Sequence, residues 1–175
     1  MTNPAPRRFA LRALTTAAHA ALDATVGPLA DAAAYGRYLR GLHAFRAPAE
    51  RALARAAWTP APLAGLIAAD MADLGVAPAA EVAVTAPAGA SGALGLAYVL
   101  EGPALGARIL HRQARALGLD GARGARHLAA QTADLAGWHG FLGVLEAAEP
   151  FDLETAAGAA RSAFAAAERA FGDAA

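Results

Sequence analysis

The chain has 175 residues, 15 acidic and 15 basic side chains, and no cysteine. That length fits one domain with a core large enough to enclose a ligand, and the zero net charge leaves no electrostatic footprint for nucleic acid. Without cysteine there are no disulfides, thiolate metal sites, cysteine nucleophiles or thioether links to a cofactor.

Alanine, a strong helix former, inflates a hydrophobic content of 57 %, and segments rich in Val, Ile or Thr are few, so an all-α fold is expected. Every side-chain cation apart from histidine is arginine, because lysine is absent. Charges and a histidine interrupt the amino-terminal stretch where a signal peptide needs an unbroken apolar run. The longest uncharged stretch, 82–100, contains Pro87 and several glycines, so no membrane span is expected. These features point to a cytoplasmic protein built as a single domain over 1–175, with residues 1–6 as a flexible leader.

In chain order, Leu11, Leu14, Ala18, Leu22 and Thr25 recur at intervals of three and four and predict a first helix from Arg7 to Val26, stopped by Gly27-Pro28. Asp31 is suited to cap a second helix, with Tyr35, Tyr38, Leu39, Leu42, Phe45 and Leu53 facing the core and a kink expected at Pro48. A third helix, from Pro62 to Leu74, carries Leu63, Leu66, Ile67 and Met71 on one stripe and ends at Gly75. Residues 75–90 read as a loop, with a short strand at EVAVTA as the alternative. Past a turn at DGARG, a helix to Glu146 carries Leu128, Leu135, Trp138, Phe141, Leu142 and Leu145. Asp152 then caps a last helix from Leu153 to Phe171.

The stretch from Ser91 to Leu117 is the most apolar long segment, yet it places Gly95, Gly102 and Gly106 where a helix would favour Ala or Leu. Each interior glycine costs a helix roughly 1 kcal/mol relative to Ala, so the missing side chains have a use. Gly102 and Gly106 are four apart, which on a helix opens a smooth trough on one face, and Pro103 between them should bend the chain. Such a trough suits a flat ligand; equally, it suits close packing of two helices.

Among the five histidines, His19 stands out because Asp23, four residues on, can hold one ring nitrogen and leave the other for a metal. The plain alternative is a surface His–Asp pair. The sequence has no HExxH, no ExxH pair for a di-iron site and no GxSxG elbow. A histidine on one helix and a glycine trough on another fit a planar metallocycle held between two helices.

Two segments carry a family resemblance. LRALTTAAHAALD at 11–23 resembles the proximal-helix signature of heme oxygenases, through Leu11, Arg12, Thr15 and His19. LGLAYVLEGPALGARIL at 94–110 resembles their distal helix, nearest to bacterial members of the biliverdin-producing type, and DMADLG at 70–75 and AARSAFAAAERAF at 159–171 are further echoes in the same order.

The resemblance implies a single heme-oxygenase-like helical bundle with a kinked distal helix, and heme b as both substrate and cofactor. His19 would be the proximal iron ligand, Arg12 would bind a propionate, and Gly102 and Gly106 would admit heme and dioxygen to the distal backbone. It further implies O2 as co-substrate, an external electron donor such as ferredoxin or a flavoprotein reductase, no tightly bound flavin, and release of biliverdin, CO and ferrous iron. Supply of bilin to a phytochrome and release of iron are both roles open to such an enzyme. Pro103 and Ala107 depart from the family's Asp and Gly, with Glu101 and His111 as candidates to organise water instead. The departures keep a second reading open, a non-degrading heme carrier or sensor on the same fold. Of the other activities on related folds, a thiamin hydrolase is disfavoured by the lack of cysteine and a di-iron oxidase by the missing ExxH.

Overall fold

A computed structural model describes residues 6–133 and 135–174. Residues 1–5, which make up most of the expected flexible leader, lie outside the described residues, as do Asp134, Ala175 and the side chains of Ala104, Leu105 and Leu135. Among the described residues the chain is all-α. The helices are α1 (Arg7–Val26), α2 (Ala32–Ala52), α3 (Ala64–Asp73), α4 (Gly89–Glu101), α5 (Ala107–Ala116), α6 (Arg126–Ala133), α7 (Leu135–Ala147) and α8 (Leu153–Gly172), with a 3-10 turn, Gly102–Leu105, between α4 and α5.

The helix ends follow from local chemistry. Gly27, at φ 64°, donates its N–H to the Asp23 carbonyl and closes α1. Asp31 Oδ1 accepts the Ala34 N–H at 2.7 Å to open α2, and Asp152 Oδ1 accepts the Thr155 N–H at 2.6 Å to open α8. Pro48 sits inside α2, which continues through it to Ala52. The segment between α3 and α4 is a loop and forms no strand; it is tied to α2 by the Val82 N–H on the Ala44 carbonyl and by Arg51 with Glu81.

α8 is the element on which the others rest, packing against α1, α2 and α4. Ala156, Ala160, Ala163, Ala167 and Ala170 recur every three or four residues and are buried, so that face is narrow and its neighbours come close. At Gly95 of α4 a Cβ would lie 2.0 Å from the Ala156 carbonyl oxygen, and at Gly41 of α2 one would lie 2.5 Å from the Phe171 ring. Gly95 is therefore a packing glycine and separates from the other two with which its sequence grouped it.

A second apolar cluster joins α2 and α3 to the start of α6 through Tyr35, Leu39, Ile67, Met71 and Leu128. At its edge Asp70, fully buried, accepts the backbone N–H groups of Arg126 and His127 at 3.0 and 3.1 Å and pairs with His127 Nδ1 at 2.8 Å. A single carboxylate thus caps α6 and docks it on α3. The turn before α6 is built as expected at DGARG, with Asp120 Oδ1 accepting the N–H groups of Ala122 and Arg123.

Candidate functional site

α1 turns Leu11 and Thr15 inward and leaves Arg12 and His19 on its outer side. The Thr15 hydroxyl donates to the Leu11 carbonyl at 2.8 Å, so the side chain is satisfied although buried. His19 keeps 63 % of its side chain exposed; Nδ1 lies 2.9 Å from Asp23 Oδ2, and the ring meets Phe164 of α8 edge-on at 5.7 Å. With Nδ1–H given to a carboxylate, the lone pair on Nε2 is the one available to a metal. Among the described residues no three His, Asp or Glu side chains converge, so an iron held here would have His19 as its ligand from the protein.

The bend lies where Pro103 predicts it. α4 ends at Glu101, the Gly102 N–H donates to the Tyr98 carbonyl, and the backbone then tightens until the Gly106 N–H reaches the Pro103 carbonyl at 3.0 Å. Gly102 consequently opens a 3-10 turn and Gly106 follows it, instead of the two sharing one α-helical face. Three residues per turn set positions four apart about a third of a revolution from one another. Among the described residues both remain bare: a Cβ at Gly102 would meet nothing within 4 Å, and one at Gly106 only the Pro103 carbonyl at 3.8 Å. α7 packs on the turn, but no described atom of it lies where either of these Cβ atoms would be, in contrast to Gly95.

α1 and α4 come together near Thr15 and Tyr98, where the Thr15 hydroxyl and the Arg12 charge both act on the Tyr98 phenol. Burial pushes the Tyr98 hydroxyl above its ordinary pKa, against the opposing pull of Thr15 and Arg12. His19 is four residues beyond Thr15, and Gly102 four beyond Tyr98. Each is therefore about 6 Å along its helix axis from that contact. α7 packs against α1, α4 and the turn, and a row of rings runs from Tyr98 to Trp138 (6.4 Å), Phe141 (5.9 Å) and Trp58 (5.8 Å).

Glu101 is buried and accepts the Trp58 indole N–H at 2.8 Å, so it belongs to the wall behind the turn and not to solvent. His111 is half-buried on α5, with Nδ1 3.4 Å from the Thr132 hydroxyl. Ala107 is 1 % exposed, which places its methyl inside the protein. An apolar recess at 84–88, Leu96, Ala159, Ser162 and Ala163 contains none of the predicted site residues, and a polar one at His111, Arg115 and Asp120 contains only the candidate water-organising residue His111. Tyr98, Trp58 and Arg46 were missed by sequence reasoning. The signal for Arg46 was its place on the buried stripe Tyr35, Leu39, Leu42, Arg46 and Leu53.

The architecture, with α1 and a helix broken at glycines both leaning on α8, is the heme oxygenase fold. The chain superposes on the NO- and CO-bound heme oxygenase from Neisseria meningitidis with a TM-score of 0.79 and 26 % sequence identity, covering 97 % of this chain and 92 % of that one. The family resemblance read at 11–23 and 94–110 thus extends, in space, over nearly all of the chain. No family model matches the sequence, and no curated protein matches it.

Proposed function

We propose that this protein is a heme oxygenase, binding heme b between α1 and the Gly102–Gly106 turn and opening it to biliverdin, CO and ferrous iron. The observation that carries the reading is the pair of bare glycines. In a chain where Gly41 and Gly95 are filled to contact, Gly102 and Gly106 leave room for a Cβ among the described residues at the bend. A planar group needs that room, and the exposed imidazole of His19 one turn from the α1–α4 contact supplies the matching ligand.

When bound, heme supplies both the iron that activates O2 and the ring that is opened, with electrons from an external ferredoxin or flavoprotein reductase. The protein's own part is to hold and to exclude. Asp23 holds His19 Nδ1, leaving Nε2 as the nitrogen that would bind the metal, and the Arg12 guanidinium could pair with a propionate through charge-assisted hydrogen bonds. Gly102 and Gly106 keep side chains away from the distal side. Neither position offers an acidic side chain, so protons would have to be relayed by ordered water. Pro103 and the inward Ala107 leave no hydroxyl or carboxylate on the turn itself, which keeps a non-degrading carrier or sensor as the second reading.

The test is to add one equivalent of hemin, reduce it with ferredoxin and its reductase under air, and follow the visible spectrum. Loss of the Soret band with a bilin product is the expected result. A spectrum that persists under these conditions identifies a carrier, and no heme binding removes both readings. His19→Ala should lose the axial nitrogen signature and recover it with added imidazole.

A further inference from the structure

Pro103 takes a backbone donor away at the bend. The Leu100 carbonyl stands where the α register of α4 gives way to the 3-10 turn, and the N–H three residues on that could close a bond to it belongs to position 103, where proline has none. Leu100 is 2 % exposed, so water cannot serve in its place, and an unpaired buried carbonyl is costly. Arg46 meets this need: its Nη1 donates to the Leu100 carbonyl at 3.0 Å.

The same guanidinium is anchored on its other edges. Nε donates to Glu50 Oε1 at 2.7 Å and Nη2 to the Ala61 carbonyl at 3.1 Å, while Glu50 Oε1 accepts the N–H groups of Leu63 and Ala64 that open α3. Arg46 is 3 % exposed and its donors form a rigid planar fork. Fixed at two points, the fork sets the third. Beside it Trp58 holds the Glu101 carboxylate, so the last two residues before Gly102 are each gripped by a side chain from the 46–58 segment.

We infer that Arg46 is a positioning residue for the distal turn, its guanidinium standing in for the N–H that Pro103 lacks and so fixing where Gly102 and Gly106 lie. The consequence for heme rests on the function proposed above; the coupling of Arg46 to Pro103 does not.

The coupling is tested by a double-mutant cycle of Arg46→Gln and Pro103→Ala, read in the apoprotein by amide hydrogen exchange at Gly102 and Gly106 and in the hemin complex by Soret titration. Arg46→Gln should speed exchange at both amides about tenfold and weaken hemin binding by a similar factor, with Arg46→Lys recovering part of each through a single donor. With Pro103→Ala in place, position 103 has its own N–H, and the effect of Arg46→Gln should shrink several-fold. Equal effects in the two backgrounds would overturn the inference and leave Arg46 as general core support. If Arg46→Gln does not fold, Pro103→Ala alone decides: the new amide at position 103 should be protected, and fast exchange there overturns the assignment. Failure of the wild type to bind hemin would sink the proposed function while the exchange cycle still reads the coupling.

Discussion

At the scale of single residues, the glycines of the central stretch divide by what a methyl group would meet. Gly95→Ala drives a carbon into the Ala156 carbonyl and should cost at least about 2–3 kcal/mol, read as a lower denaturation midpoint at unchanged slope. Gly106→Leu meets open space, so the variant should fold with near-normal stability yet lose heme turnover. Normal turnover in that variant would show that the turn does not face the reacting ring. Composition and spacing could mark all three glycines as unusual but not sort them, because sorting needs the opposing surface: the α8 backbone lies against Gly95, while among the described residues an added Cβ meets open space at Gly102 and only the Pro103 carbonyl at Gly106. The His19–Asp23 pair was legible from its spacing of four, a local relation within one helix. The grip of Arg46 on Leu100, 54 residues away, was not, since a charged residue on a buried stripe announces an unknown partner.

At the scale of elements, the helices with strong local punctuation were readable. α1 runs from Arg7 to Val26 and α8 opens at Asp152, as capping residues and apolar spacing predict. The central segment is where the local rules gave the bend but not its form, since a proline tells where a helix must yield and not whether it tightens into a 3-10 turn. The docking of α6 on α3 was not legible either, because Asp70 looks like one more exposed acid on a short helix.

That docking makes stability depend on pH. Burial works to raise the Asp70 pKa, but hydrogen bonds from His127 and from the Arg126 and His127 backbone outweigh it and hold the carboxyl low. Burial lowers the His127 pKa despite the adjoining carboxylate, with the Arg46 and His111 charges adding to the effect. A histidine that is neutral when folded takes up its proton more readily when unfolded. Its contribution is full above an unfolded pKa of about 6.5 and declines as pH falls below that, by at most about 1.4 kcal/mol per pH unit. Asp70 adds a second loss only below about pH 4, where the unfolded carboxyl begins to protonate. Urea titrations between pH 7 and 5 should show the histidine's decline, and His127→Gln should flatten it.

For the whole molecule, the described residues give two apolar clusters meeting around α2, and no helix among them is long and apolar enough to cross a membrane. The proposed ligand would lie between α1 and the turn, two parts of the chain that both pack on α7 while α1 and α4 both rest on α8. A molecule bridging them binds the folded state alone. At a hundredfold excess over its Kd, hemin should add about 2.7 kcal/mol and raise the unfolding midpoint by about 5–10 °C. His19→Ala should lose most of that increment. An unchanged midpoint in the wild type would mean that nothing is being bridged.

The row of rings behind the turn has a practical corollary. Both tryptophans of the chain belong to it, one hydrogen-bonded to the residue preceding Gly102 and the other beside Tyr98. Essentially all of the protein's ultraviolet-excited indole emission therefore originates within a few side chains of the place assigned to the ring. A porphyrin seated there accepts that energy efficiently, so the light should go out in strict proportion to occupancy, giving an intrinsic gauge of filling that needs neither reductant nor oxygen.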